Sequence, residues 1–243
     1  MEVKNYTAEE LVTRWEDRRD IKNLMGKYVV SFLIKKEPEI FASFWSARED
    51  ICYGVNEGWY SGRDAIRGYY DSLNAKTIAV RDKLIELFPE KAAGKTAEEL
   101  YGIGLFEPRS ITNSVVEIAA DGETAKGMWH CFGYVTDVDT HGPVSSWIFA
   151  TLCADFIREG DEWKIWHLMY LEDINNPSGT NWSSGEYPYP ELPEFESLRS
   201  VKAAAPNVPC VLRERYSVNR PYTRMPRLPE PYVSFADTFS YGM

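Results

Sequence analysis

Histidine is scarce in this chain: His130, His141 and His167 are the only three in 243 residues, and no metal-ligand spacing relates them. That argues against a zinc site, which takes three or four imidazole or thiolate ligands. The four cysteines, Cys52, Cys131, Cys153 and Cys210, lie far apart and form no Cys-x-x-Cys pair. They read as small buried apolar side chains in a reducing compartment, not as a disulfide framework. Basic runs are missing too, and 27 Lys plus Arg stand against 37 Asp plus Glu for a net charge of −10. Such a chain repels phosphates, which argues against a nucleic-acid partner. No apolar stretch approaches the roughly 20 residues of a membrane span, and Met1–Thr13 lacks the basic start and apolar centre of a signal peptide. The expectation is a cytoplasmic protein without a metal site, nucleic-acid partner or membrane partner.

What is present is a soluble composition, 44% hydrophobic and 26% charged, and one stretch of unusual β character, Asp121–Asp173. β-branched and aromatic residues fill three runs, Thr124–Asp137, Ser146–Arg158 and Trp163–Glu172, divided by Thr140-His141-Gly142-Pro143 and Glu159-Gly160-Asp161. Runs this long predict a curved antiparallel sheet with a concave side to fill. Alternation assigns the faces. If Lys164 and Lys126 point outward, then Trp163, Ile165, His167 and Met169, with Ala125, Gly127, Trp129, Cys131 and Gly133, point inward. Trp166, Leu168, Tyr170, Met128, His130, Phe132 and Tyr134 then make an outer face apolar enough to need a cover, from the same chain or from a second subunit.

Ahead of the sheet, Thr7-Ala8-Glu9-Glu10 is a capping-box start. Leu11, Trp15, Ile21, Leu24, Met25, Tyr28, Val29 and Phe32 then recur at helical spacing, with a break expected near Asp17–Asp20. Pro38 opens a short helix, Glu39–Trp45; Ile51–Tyr60 suggests a hairpin; Asp64–Leu73 is a third helix. The signal weakens over Asn74–Thr112, an insertion that is either a lid, a dimer contact or a surface excursion without a role, and Asn113–Ala119 is read as a further strand. After Asp173 the composition changes: ten of the 14 prolines and ten aromatics fall in Ile174–Met243. Residues 174–243 are therefore read as an extended arm lying on the apolar outer face of a domain spanning 1–173, or on a partner subunit.

Arg19-Asp20-Ile21 through Gly26-Lys27-Tyr28, the turn Tyr60-Ser61-Gly62-Arg63-Asp64-Ala65-Ile66, Asp121-Gly122-Glu123-Thr124-Ala125-Lys126-Gly127-Met128-Trp129, and Asp155-Phe156 followed by Trp163-Lys164-Ile165 together resemble the SnoaL-like (polyketide cyclase-like) branch of the nuclear transport factor two superfamily. The resemblance covers roughly Leu11–Asp173. It implies a cystatin-like α+β fold, a curved antiparallel sheet packed on N-terminal helices around a cone-shaped cavity. It also implies cofactor-independent isomerase, cyclase or lyase chemistry on an apolar or aromatic small molecule, and a homodimer. In the dehydratases of this superfamily a helical Tyr is followed five residues later by Asp. Tyr28 matches the Tyr, but Leu33 stands at the Asp position and Arg109 where a catalytic His is found, so the Asp–His pair is missing.

Within that frame His167 is the inward histidine and the candidate proton carrier. Tyr28 and Arg109 are candidates to hold a developing oxyanion, and His130 becomes a candidate if a bulge turns it inward. Trp129, Trp163, Tyr53, Tyr60 and Met169 are candidate substrate-binding walls. Each has a plainer alternative: a core histidine, packed aromatics, a solvated arginine. A non-catalytic binding or dimerisation protein of the same fold is the competing expectation.

Overall fold

The structure, a computed structural model, describes residues 6–182, 188–222 and 226–243; Tyr187, counted above among the arm aromatics, lies outside them. Helix α1, Ala8–Ser31, begins on the expected capping box, with Thr7 Oγ1 accepting from the Glu10 amide at 3.2 Å and Glu10 Oε2 from the Thr7 amide at 2.8 Å. It runs unbroken through Asp17–Asp20 because Asp17 is buried and accepts from Trp163 Nε1 at 3.0 Å and Arg158 Nη2 at 2.5 Å. Its buried stripe is Ile21, Met25, Tyr28 and Val29, while Leu11 and Trp15, expected in that stripe, are exposed. α2, Glu37–Phe44, carries Pro38 in its first turn. Strands β1, Cys52–Val55, and β2, Gly58–Ser61, form the expected hairpin. α3, Arg63–Leu87, runs on past the expected Leu73 into the weakly patterned segment, where no Gly or Pro interrupts it; a short α4, Pro89–Ala92, follows.

Strand β3, Arg109–Ile118, leads into the long meander of β4, Thr124–Asp139, β5, Gly142–Glu159, and β6, Glu162–Pro177. With β7, Val208–Pro209, these strands make one curved, unclosed sheet in the order β3-β4-β5-β6-β1-β2-β7. The β1–β6 pair is parallel and the others antiparallel. The fold is α+β, with helices on the concave face: Ile21, Met25 and Ile66 pack with Trp129, Phe156 and Ile165 in one apolar core. Gly127 is required there, since a Cβ at this position would stand 2.2 Å from the Trp129 ring.

The expected facing holds for β4, where Ala125, Trp129 and Cys131 are core residues. It fails halfway along β6. Phe156 pairs with Ile165 but Asp155 pairs with His167, leaving Trp166 as an extra residue opposite none. A β-bulge of this kind reverses the alternation beyond it. Trp163 and Ile165 point inward as expected, but His167 and Met169 point outward, and Leu168 and Tyr170, expected outside, join the core.

Part of the outer face is covered by residues from the end of the chain. Met128, Cys153 and Met169 pack with Phe239 and Tyr241, and the Ala120 and Asp121 amides donate to the carbonyls of Tyr232 and Val233. Lys126 faces outward but is fully buried under this cover, with Nζ 2.6 Å from Asp155 Oδ1 and 4.6 Å from the ring centroids of both Phe235 and Phe239. Phe132, Tyr134 and Trp147 form an aromatic cluster on the same sheet that stays 40–46% exposed. No helix among the described residues is long and apolar enough to cross a membrane.

Candidate active site

The concave side is not packed solid. A cavity of about 320 Å³ opens between α3, the β1–β2 hairpin, the start of β3 and the far half of β6. Tyr53, Tyr60 and Tyr69 form an aromatic wall, with Tyr60 stacked on Tyr53 at 5.9 Å between ring centroids and tilted against Tyr69 at 4.6 Å. The Tyr60 hydroxyl does not reach into the cavity chemistry, because it donates to the Ala204 carbonyl at 2.7 Å.

At the other side lies a chain of buried charges. Glu107 bridges two cations, accepting from Lys35 Nζ on one carboxylate oxygen and from Arg109 Nη2 on the other. Burial would push the Glu107 carboxyl up, but Arg109 and Lys35 outweigh it and hold the group below the usual range. Burial likewise disfavours the Arg109 cation, and Glu107 reverses the effect so that it stays charged. The guanidinium is held between two rings, 4.5 Å from the centroid of Tyr170 and 5.0 Å from that of Phe32.

Three buried polar atoms on cavity-lining residues have no hydrogen-bond partner among the described residues: Arg109 Nε, the Tyr170 hydroxyl and Glu37 Oε2. Buried polar atoms are paired in the great majority of cases, so three orphans on the residues of one cavity wall single this wall out. Glu37 is only 2% exposed, at the first turn of α2. Burial raises its carboxyl, opposed by its own backbone amide and Lys35 and reinforced by Glu107, to about 7. A carboxyl poised there exchanges protons near neutrality.

The expected site residues separate into groups. Arg109, Tyr53 and Tyr60 line the cavity. Tyr28 stands behind its wall, its hydroxyl 2.8 Å from that of Tyr70, which also accepts from Trp45 Nε1 at 3.2 Å; burial and then the Tyr70 neighbour hold its pKa well above the ordinary phenol value. Trp129 and Trp163 are core residues that the cavity does not reach. His130 sits on the outer face, with Nδ1 3.3 Å from Asn113 Nδ2 and its ring 5.5 Å from Phe149. His167 is the main correction. The bulge at Trp166 turns it away from the cavity into a buried network, its Nδ1 2.8 Å from Asp155 Oδ2 and its ring between Trp166 and Phe235. Met169 leaves the candidate wall for the same reason.

Glu37, Glu107 and Tyr170 were not among the expected residues. Tyr170 is out of place by the one-residue bulge alone. Glu37 stands immediately before the helix-opening Pro38 and reads as ordinary first-turn acid; its neighbour Glu107 comes from the distant segment just before β3.

Residues 13–169 match the family model described as SnoaL-like domain. No curated protein matches the chain. Among solved structures, a type 2 hexachlorocyclohexane dehydrochlorinase is 15% identical, with a TM-score of 0.50 over 72% of this chain and 99% of that one. A type 3 hexachlorocyclohexane dehydrochlorinase from Novosphingobium barchaimii is 17% identical (TM-score 0.45; 70% and 96% covered). A protein of unknown function from Mycobacterium tuberculosis is 16% identical (TM-score 0.45; 68% and 76% covered). At these identities the likeness is one of fold.

Proposed function

We propose that this chain, which belongs to the SnoaL-like domain family, is a cofactor-independent lyase or isomerase that moves a proton on an apolar or aromatic carbonyl compound in the cavity. The observation that carries the reading is that the three residues Glu37, Arg109 and Tyr170, each with a buried polar atom that lacks a partner among the described residues, line one hollow with tyrosine walls. The solved structure described as a type 2 hexachlorocyclohexane dehydrochlorinase is in keeping with the lyase side of it, since elimination also begins with removal of a proton from carbon.

In this reading the ionised Glu37 carboxylate takes a proton from the carbon next to a carbonyl. The C–H electron pair becomes the enolate C=C bond and the carbonyl π pair moves onto oxygen. Arg109 Nε–H and Tyr170 O–H donate to that oxygen, and such donors gain strength where water is excluded. Where the enolate is conjugated, Glu37 then returns the proton to its far carbon while the oxygen's pair re-forms the carbonyl, giving isomerisation. Where a leaving group stands on the adjacent carbon, the re-forming carbonyl pushes the enolate pair into a new C=C bond and the group departs with its bonding pair, giving elimination. Glu107 and Lys35 act on Arg109 and Glu37 and not on the substrate; they are positioning residues.

Solvent deuterium incorporation into a panel of aryl ketones and phenols, followed by mass spectrometry, tests the reading. Exchange above the buffer rate is expected, and Arg109→Met or Tyr170→Phe should lower it by about 10²–10³-fold, the usual cost of one oxyanion donor, with folding unchanged by circular dichroism. Ligand binding without exchange would make the protein a binder, and the catalytic reading would fail.

A further inference from the structure

We propose that Glu107 is a specificity-determining residue: by occupying the fork of Arg109 it makes the cavity a receptor for one neutral carbonyl or phenol oxygen and shuts carboxylates out. This rests on the reading of the site just given. The support is in how the charges are already spent. Both oxygens of Glu107 are engaged, one by Lys35 Nζ and one by Arg109 Nη2, and the three side chains are only 11–13% exposed. The other cations of the cavity wall are paired as well, Lys76 with Asp137, and Arg215 with Glu172 at 2.7 Å and Glu57 at 3.6 Å.

A carboxylate ligand is best held by two parallel donors from one guanidinium. Glu107 already takes Arg109 Nη2, and Arg109 Nε and the Tyr170 hydroxyl are the buried donors of this wall left without a partner among the described residues. Two single donors from different residues suit one oxygen with two lone pairs, which is what a ketone or phenol presents. An anion entering this wall finds no unpaired cation to offset its lost hydration. Removing the charge of Glu107 while keeping its shape reverses the situation, because Lys35 and Arg109 become two buried cations without an anion and a ligand carboxylate can take the vacant place.

The cavity volume accommodates a ligand of about a dozen non-hydrogen atoms at interior packing density, so 2-acetonaphthone and 2-naphthoate, alike in ring and size, are suitable probes. Calorimetry on the full-length protein should show the ketone preferred by about tenfold or more, and Glu107→Gln should bind 2-naphthoate about tenfold more tightly than the wild type does. Equal or better binding of 2-naphthoate by the wild type, no ketone binding by the wild type, or no gain in a folded Glu107→Gln variant overturns the proposal. If that variant does not fold, the wild-type preference decides alone. Because the readout is binding, ketone binding without deuterium exchange would end the proton-transfer reading and leave this one standing, while exchange without discrimination against the carboxylate would do the reverse.

Discussion

Asp155→Ala should lower the stability of the protein by about 3–5 kcal/mol, the cost of breaking a buried ion pair by removing one partner. The carboxylate is fully buried and accepts from Lys126 Nζ at 2.6 Å, His167 Nδ1 at 2.8 Å, the Tyr241 amide at 2.8 Å and Ser240 Oγ at 3.1 Å. Without it the Lys126 ammonium stays at 0% exposure, with aromatic faces as its remaining partners. The same substitution removes two of the contacts that hold the last residues of the chain on the sheet, so trypsin should cleave after Arg227 faster in the variant. The chain end fits closely here: a Cβ on Gly242 would stand 2.7 Å from the His167 ring. Lys126→Met combined with Asp155→Leu removes the unpaired ammonium and should recover that share of the loss only, because His167, Ser240 and the Tyr241 amide still lack their acceptor. Urea denaturation measures all three proteins. A loss below about 1 kcal/mol for Asp155→Ala would show that the buried pair does not anchor the chain end.

Glu37→Gln should abolish most exchange activity, by about 10²–10⁴-fold, the range general acid–base catalysis supplies. In the wild type the base is the ionised form, so the rate should rise about tenfold per pH unit below about 7 and level off above it. The stability effect has the opposite sense. A carboxyl raised from 4.5 to about 7 in the folded state binds more protons folded than unfolded between those values, so stability falls as pH rises through that window. The interval corresponds to about 3 kcal/mol as an upper bound. The variant escapes this, and should be more stable than the wild type at pH 8 and nearly equal at pH 4.5. Lost exchange together with gained stability at high pH separates a catalytic carboxyl from a structural one, whose removal would cost stability at both pH values.

How far the sequence reveals the molecule differs between fold and site, for reasons that particular residues show. The capping box at Thr7 and Glu10, the hairpin over Cys52–Ser61 and the three long strands are local features, written in contiguous residues, and the structure contains them. α3 runs on past Leu73 because no Gly or Pro follows until Pro89. His167 and Tyr170 exchanged faces because alternation carries no mark of where one extra residue, Trp166, enters a strand. Lys126 was a sound anchor for direction and a poor one for exposure, since the residues that bury it lie about a hundred positions later. Arg109 was found through the resemblance, but its partner Glu107 and the orphaned Glu37 acquire meaning only when the segment that leads into β3 is brought near Lys35 and Glu37. A site assembled from segments about seventy residues apart is set by tertiary packing, and no local pattern announces it.

Glu37, in the wall of the cavity, carries a buried carboxyl poised near neutrality. Carbon-13 NMR of the protein labelled at Glu carboxyls, with Glu37→Gln to assign the resonance, measures this without knowledge of the substrate. One glutamate should titrate near pH 7 and shift when 2-acetonaphthone is added; a Glu37 resonance titrating near 4.5 and indifferent to the ketone would contradict the account.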